Sequence, residues 1–296
     1  MNQRREASPQ RAVAGDGRAN NLHRDLAPVS DAAWEQIEEE ARRTVLRYLA
    51  FRRVVDVAGP GGLDLNGIGT GHTAKIDAPH DGVQAVLRSA KPLVEVRIPF
   101  ELSRAAIDDV ERGAQDSDWQ PVKDAAKIAA FTEDRAIADG YAAAQITGLR
   151  PFASNAAMPQ PEDAVDFPAT VARMATQLKL AGVEGPYHLV LGADAYEALS
   201  DAVDHGYPVA EHVSRLIDGD VIWAPAISGG VLLSARGGDY QLQLGQDLSI
   251  GYESHTAETV RLYFTQSFTF LPYTAEAAVP LSGKASKEPK SGRRSR

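Results

Sequence analysis

Residues 58–90 are poor in the large apolar side chains from which a hydrophobic core is built. The stretch opens with Gly59-Pro60-Gly61-Gly62, which ends any preceding strand, and continues with many Gly, Thr, Asp and His residues. A segment of this length without core-forming residues is unusual inside a compact domain. It is therefore either disordered or a protruding hairpin, with 71–76 as one strand, that packs against another subunit.

An amphipathic helix is predicted before this stretch. Ser30 is a suitable N-cap, and Asp31 places a negative charge in the first turn, where it favours the helix dipole. Apolar residues then recur with helical spacing, and we expect the helix to end near Phe51. The predicted apolar face consists of Trp34, Ile37, Ala41, Val45, Tyr48 and Leu49.

The rest of the chain predicts an α+β fold, in which helices and strands are segregated and do not alternate regularly. Pro121 is placed where a long helix begins, and 260–273 form a long β segment rich in Phe, Thr and Tyr. Predicted helices are 104–112, 121–144, 169–181, 194–203 and 209–217. Predicted strands are 53–57, 93–102, 187–191, 221–223, 230–234, 240–244, 248–252 and 260–273.

Composition excludes several kinds of protein. The chain has no cysteine, which removes disulfides, thiolate metal sites and cysteine nucleophiles. Its formal net charge is −9, whereas a broad nucleic-acid-binding surface is normally positive. It has no run of about 18 apolar residues, and its N-terminus lacks the apolar centre of a signal peptide. We therefore expect a soluble cytoplasmic protein that binds neither nucleic acid nor membrane.

The sequence carries no recognisable catalytic motif. It lacks the metalloprotease H-E-x-x-H, the phosphate-binding Walker A motif and the G-x-S-x-G nucleophile elbow. The glycines at 67–71 do not have the spacing of a dinucleotide loop. His205 and His212 are separated by Gly206 and Pro208, so they need not share a helix face and predict no metal site. We expect no catalytic, cofactor-binding or metal-binding residues.

Several short motifs, in their order and spacing, resemble the family 1 encapsulins, also known as linocin-like or bacteriocin-like culture filtrate proteins. The most specific is Arg236-Gly237-Gly238-Asp239, followed by Gly-Gln-Asp-Leu-Ser-Ile-Gly-Tyr at 245–252. Together the motifs span about residues 21 to 280. The others are Leu-His-Arg-Asp-Leu-Ala-Pro at 22–28, Arg-Arg-Val-Val-Asp-Val at 52–57, Val-Glu-Arg-Gly at 110–113, Gly-Val-Glu-Gly-Pro-Tyr at 182–187, Val-Arg-Leu-Tyr at 260–263 and Phe-Thr-Phe at 268–270.

The resemblance implies the Hong-Kong-ninety-seven-type phage major capsid fold, with a peripheral domain, an axial domain and an extended loop. The loop would pair with a neighbouring subunit, which supplies the missing packing partner of 58–90. The implied divisions are a flexible N-terminal extension (1–20), an arm with the helix and first strand (21–57), the extended loop (58–90), a peripheral domain with a spine helix (91–147), an axial domain (148–240), C-terminal strands (241–280) and a disordered basic tail (281–296).

The resemblance also implies two sites in the assembled shell. Cargo enzymes carry a C-terminal targeting peptide that docks in a luminal groove, where Phe51 is expected to crowd the peptide. A loop around the five-fold axis forms a pore, which His205 can make sensitive to pH. The groove residues carried over by motif are Arg52, Asp56, Val57, Asp247, Leu248, Ser249 and Ile250. The pore residues are Asp204, His205, Gly206 and Tyr207.

The function implied is that of a shell subunit, without enzyme activity, in an icosahedral compartment of about 60 copies. The cargo would be a dye-decolourising peroxidase or a ferritin-like protein, serving oxidative-stress defence or iron storage. Some encapsulins stack flavin on an aromatic residue where this chain has Ala105, so no flavin is expected. Two alternatives are a prophage capsid protein that encloses DNA and a peptidase or bacteriocin.

Overall fold

The computed structural model describes residues 20–283, which form two compact units. The first unit contains 20–152 and 237–273, and the second contains 153–236 and 274–283. Residues 1–19 of the predicted N-terminal extension and residues 284–296 of the predicted basic tail lie outside the described residues. None of the helices in the described part is long and apolar enough to cross a membrane.

The helices and strands follow one another in mixed order along the chain. The helices are α1 (Asp31–Tyr48), α2 (Arg104–Glu111), α3 (Gln120–Ala138), α4 (Leu149–Phe152), α5 (Phe167–Leu180), α6 (Ala193–Asp201) and α7 (Val209–Ile217). The strands are β1 (Asp56–Ala58), β2 (Gly67–Ile76), β3 (Ala85–Pro92), β4 (Val94–Ser103), β5 (Gly140–Tyr141), β6 (Ile146–Thr147), β7 (Met158–Pro159), β8 (Tyr187–Leu191), β9 (Val203–Asp204), β10 (Tyr207–Pro208), β11 (Val221–Trp223), β12 (Gly230–Ser234), β13 (Tyr240–Leu244), β14 (Ser249–His255), β15 (Thr259–Pro272) and β16 (Ala278–Ser282).

A five-stranded sheet built around β15 organises the first unit. β15 pairs antiparallel with β4 from Thr259 to Phe268, with β13 at its C-terminal end and with β14 at its N-terminal end. β1 joins the edge of β13 in parallel. The aromatic and β-branched side chains of β15 suit this central position, because they pack well on a pleated, buried surface.

The core of the first unit lies between this sheet and helices α1, α2 and α3. Ser30 caps α1 as predicted, with its hydroxyl accepting a hydrogen bond from the Ala33 amide at 3.3 Å. The predicted apolar face of α1 points into this core, which confirms the helical periodicity. The core includes Trp34, Ile37, Ala41, Val45, Leu102, Ile107, Val122, Ala126, Leu262 and Phe264.

α3 ends at Ala138, so the prediction that it continues to 144 is wrong. Gly140 has a positive φ of 90°, and β5 and β6 then form a short hairpin. A Cβ on Gly140 would lie 2.8 Å from the Ile146 carbonyl oxygen and 2.7 Å from the Gly148 nitrogen. The helix therefore stops at a glycine whose conformation and surroundings both exclude a side chain.

β2 and β3 form a two-stranded hairpin, and within the described residues neither strand pairs with any other strand. This excludes the disordered alternative for much of 58–90. In the outer half of the hairpin, Ala74 pairs with Leu87 and Ile76 pairs with Ala85, so one face is apolar. Leu87 is 61% exposed in the subunit.

The second unit is built on a sheet of strand order β11-β8-β12-β16-β7. β8 and β12 are buried along almost their whole length, which explains why their sequences are apolar without alternation. Val171 of α5 and Val213 of α7 are fully buried. β9 and β10 form a small separate hairpin that leads into α7.

We expect Gly140→Ala to destabilise the protein more than Gly113→Ala. Both glycines have φ near +90°, at 90° and 97°, but nothing lies within 4 Å of a Cβ built on Gly113. The Gly113 variant should therefore lose about 1 kcal/mol of unfolding free energy from backbone strain alone, and the Gly140 variant several times more. Urea denaturation of both variants measures the difference, and equal losses would show that the contacts of Gly140 are unimportant.

Candidate functional site

A short turn after α1 begins the region to which the resemblance assigns the cargo groove. Phe51–Arg53 form one 3-10 turn, where the sequence predicts a strand starting at 53. The Asp134 carboxylate of α3 accepts hydrogen bonds from the amides of Ala50 at 3.0 Å and Phe51 at 3.1 Å. Because these amides are bound by a side chain of α3, the chain turns here and the strand starts only at Asp56.

Asp134 is fully buried where it caps this turn. Burial raises the pKa of Asp134 to about 7, because lost hydration of the charged carboxylate outweighs the two amides that favour it. Phe51 is also fully buried, so its side chain belongs to the interior and the expectation that it crowds a surface groove is wrong.

Arg52 lies between two carboxylates that come from distant parts of the chain. Its Nε donates to Glu133 Oε1 at 2.7 Å and its Nη2 to Glu133 Oε2 at 2.6 Å, which is a bidentate pair. The same Nη2 lies 2.9 Å from Asp247 Oδ1. Burial disfavours the charged guanidinium, but the two carboxylates outweigh this effect and raise the pKa of Arg52, so it stays charged.

Glu133 is the most buried member of this set. Its carboxylate is completely shielded from solvent and also accepts a hydrogen bond from Gln266 Nε2 of β15 at 3.0 Å. Arg52, Glu133, Asp247 and Gln266 thus form one polar network, in which Glu133 and Gln266 are buried and Arg52 and Asp247 are partly exposed. The network connects the turn after α1, helix α3, the loop before β14 and the centre of β15.

The segment from Asp247 to Ile250 divides between this network and the core. Asp247 faces Arg52, and its Oδ1 also accepts a hydrogen bond from the Leu248 amide at 2.7 Å. The Ser249 hydroxyl donates to the Asp247 carbonyl oxygen at 2.8 Å. Leu248 and Ile250 are buried within the core of the first unit, so in this subunit they support the surface from beneath.

Asp56 and Val57 lie on β1, next to the Arg-Gly-Gly-Asp motif. Asp56 Oδ2 accepts a hydrogen bond from the Gly238 amide at 2.6 Å, and β1 runs parallel to β13. Val57 is 43% exposed. The structure therefore joins Arg52 to Asp247 directly, whereas no polar contact among the described residues joins Asp56 to either of them.

The predicted pore residues occupy the β9–β10 hairpin. His205 and Gly206 form its turn, with φ values of 47° and 87°, typical of a tight two-residue hairpin. The His205 side chain is 94% exposed and its Nε2 lies 3.6 Å from Asp204 Oδ1. Between residues 20 and 283 no cluster of three or more His, Asp and Glu side chains could hold a metal ion.

Comparison with known proteins reveals the relationships of the chain. Residues 19–269 match the family described as encapsulating protein for peroxidase. The type 1 encapsulin shell protein of Rhodococcus erythropolis is 60% identical over 262 residues, which cover 88% of this chain and 99% of that protein. The shell protein of Mycobacterium tuberculosis is 56% identical over 263 residues, covering 89% and 99%. The chain belongs to the type 1 encapsulin shell proteins.

Solved structures show that this encapsulin has the phage capsid fold. A virus-like particle from Pyrococcus furiosus has a TM-score of 0.58 at 14% identity, covering 83% of this chain and 98% of that one. The capsid of Myoviridae phage XM1 has a TM-score of 0.54 at 11% identity, covering 80% and 92%. At such low identity the likeness concerns the fold alone, and it confirms the predicted Hong-Kong-ninety-seven-type α+β fold.

Sequence reasoning missed three members of the polar cluster in this encapsulin, namely Glu133, Asp134 and Gln266. The signal for Glu133 was its helical spacing, because it follows Ala126 and Ala130 on the buried side of α3 and precedes Ile137. An acidic residue on an apolar helix face indicates a buried partner. Arg52, four residues after the end of α1, was the available cation.

Glu133→Gln is expected to lower the free energy of unfolding by about 3 kcal/mol or more, because it leaves Arg52 buried with only the partly exposed Asp247 as counter-ion. The matched control is Asp109→Asn, which breaks the exposed Arg112–Asp109 pair and should cost less than about 1 kcal/mol. Both values come from urea denaturation followed by tryptophan fluorescence. Similar small losses in the two variants would contradict a structural role for the network.

Proposed function

We propose that this encapsulin chain is one subunit of an icosahedral shell of about 60 copies that encloses cargo enzymes and has no catalytic activity itself. The observation that carries the proposal is the 60% identity to a type 1 encapsulin shell protein over 99% of that protein's length. The protruding β2–β3 hairpin supports it, since a hairpin that is isolated in the subunit gains a packing partner in a shell.

The apolar face of the hairpin is the part that packs on a neighbouring copy. Leu87 and Ile76 lie on this face and are 61% and 49% exposed, so packing on a neighbouring copy would remove apolar surface from water. The opposite face carries Lys75, which pairs with Val86, and Arg88, which pairs with Thr73, so it suits water or an acidic surface. The two faces therefore have different roles in assembly.

Cargo docks through a C-terminal targeting peptide on the surface near Arg52, Val57 and Ser249. Glu133 holds the Arg52 guanidinium in one position, so that its remaining edge can meet peptide carbonyl groups without loss of side-chain entropy on binding. Val57 offers exposed apolar surface for an anchor side chain of the peptide. Leu248 and Ile250 fix the backbone beneath this surface.

The cargo supplies the chemistry of the compartment. The family description, which names a peroxidase, favours a dye-decolourising peroxidase and hence a role in oxidative-stress defence. A ferritin-like protein with a role in iron storage is the second cargo implied by the family. Shells purified from the organism that produces them distinguish the two cargoes. A peroxidase would give the absorbance of haem, and a ferritin-like protein would give bound iron in an iron assay.

The β9–β10 hairpin lines the pore at the five-fold axis. Five copies of Asp204, His205, Gly206 and Tyr207 would then surround one opening. A ring of identical loops multiplies the charge of each loop, so protonation of the exposed His205 changes the electrostatic barrier to anions and cations.

We expect Leu87→Asp to prevent shell formation and Val86→Asp to leave it intact. The two residues are neighbours on β3 and are similarly exposed, at 61% and 57%, but their side chains point to opposite faces. Only Leu87 would bring a charge into the contact with a neighbouring copy. Size-exclusion chromatography and negative-stain electron microscopy are the measurements. If both variants form shells, as the wild type does, the apolar face is not the contact between copies, although the protein is still a shell subunit.

Val57→Asp is expected to reduce cargo loading at least about tenfold without affecting assembly, because a carboxylate replaces the apolar anchor surface. Val165→Asp is the matched control, since Val165 lies in the second unit and is similarly exposed, at 39% against 43%. Each variant is co-expressed with a fluorescent protein that ends in a short Leu/Gly/Ser-rich tail. Fluorescence per purified shell is measured, and equal loading of the two variants would place the groove elsewhere.

A further inference from the structure

Two aromatic rings and three cations form a cluster between α1 and α3 that the proposed cargo groove does not use. Tyr48, the last residue of α1, meets Phe131 of α3 edge to face, with ring centroids 5.7 Å apart. Lys127 Nζ lies 5.4 Å from the Tyr48 ring and 5.3 Å from the Phe131 ring. Arg47 lies 6.0 Å from the Tyr48 ring and Arg135 lies 5.6 Å from the Phe131 ring. We name these five residues the cationic ring patch.

Arg47 and Lys127 keep their positive charge because aromatic rings, and not carboxylates, lie beside them. A ring attracts a cation through its quadrupole but does not neutralise it. Arg47 and Lys127 are exposed, and within 20–283 neither lies within ion-pairing distance of a carboxylate. Arg42 and Arg43, one turn earlier on α1, pair with Glu39 and Glu40. Unneutralised cations concentrated at one place in a chain of net charge −9 indicate an anionic partner.

An exposed apolar side chain adjoins the patch. Ile128 follows Lys127 on α3 and is 54% exposed. It is three residues before Phe131, so the two side chains are neighbours on one face of the helix. A partner that meets Arg47 and Lys127 with negative groups can therefore also bury an apolar side chain on Ile128.

We propose that the cationic ring patch binds an acidic segment of a protein partner, with carboxylates on Arg47 and Lys127 and an apolar side chain on Ile128. An acidic peptide fits better than a nucleic acid. Single-stranded nucleic acid binds by stacking bases on free aromatic faces, but cations already lie over Tyr48 and Phe131. The net charge of −9 also repels a long polyanion more than a short acidic segment.

Fluorescence anisotropy with a labelled peptide of three Glu-Leu-Glu repeats tests this assignment on the full-length protein. The peptide is added both to finished shells and to subunits that reassemble in its presence, so that access to the patch does not depend on its side of the shell. The variant Arg47→Glu/Lys127→Glu is expected to bind the peptide at least about tenfold more weakly. Wild-type affinity should fall as salt is raised from about 0.05 to 0.3 M.

Arg97→Glu is the matched control. Arg97 is also an exposed cation over an aromatic ring, 4.1 Å from the centroid of Tyr263, but it lies on β4 and pairs with Glu95. Binding that is unchanged in this control and weakened in the double variant supports the proposal. Equal affinity of the double variant and the wild type overturns it, as does equal binding of a Lys-Leu-Lys peptide. Tighter binding of a labelled oligothymidylate indicates a nucleic-acid site, and loss of assembly in the double variant indicates a contact between subunits.

Discussion

A single guanidinium, largely buried, connects parts of the first unit that are far apart in the sequence. Arg52 stands beside Glu133 of α3 and Asp247 of the loop before β14, and Gln266 of the central strand completes the network. A buried charge is tolerated only when it is paired, so the turn cannot separate from α3 without leaving the fully buried Glu133 carboxylate without its counter-ion. The turn after α1 and the loop before β14 are both positioned by this constraint.

The difference between local and long-range interactions explains which parts of the structure were predictable. The apolar period of α1 and the aromatic, β-branched sequence of β15 report burial directly, and both elements were predicted close to their observed bounds. The turn at Phe51 was not predicted, because the carboxylate that binds its amides is Asp134, about 80 residues away. The local sequence pattern carries no information about a capping side chain that another helix supplies.

The candidate site shows a similar division. Motifs placed Arg52 and Asp247 in one site, and the structure brings them into contact. Leu248, just before β14, and Ile250, on β14, belong to the same motif but lie in the core, because extended backbone sends every second side chain inward. A motif selects residues that share a role in the family, but it does not distinguish surface contact from support beneath the surface. Likeness of fold at 11–14% identity does not tell which side chains contact a ligand and which support the surface. Only the side chains of this chain can decide that.

In the proposed shell, the hairpin formed by β2 and β3 would make the local stability of the subunit depend on its concentration. Two strands with no third strand are only marginally stable in water, and their outer edges carry unpaired backbone groups. Packing against another copy stabilises the paired form by mass action, so the ordered hairpin is favoured where subunits are abundant. In a subunit without neighbours this exposed segment would open locally more often than the sheets of the two units, and incorporation into a shell would suppress that opening.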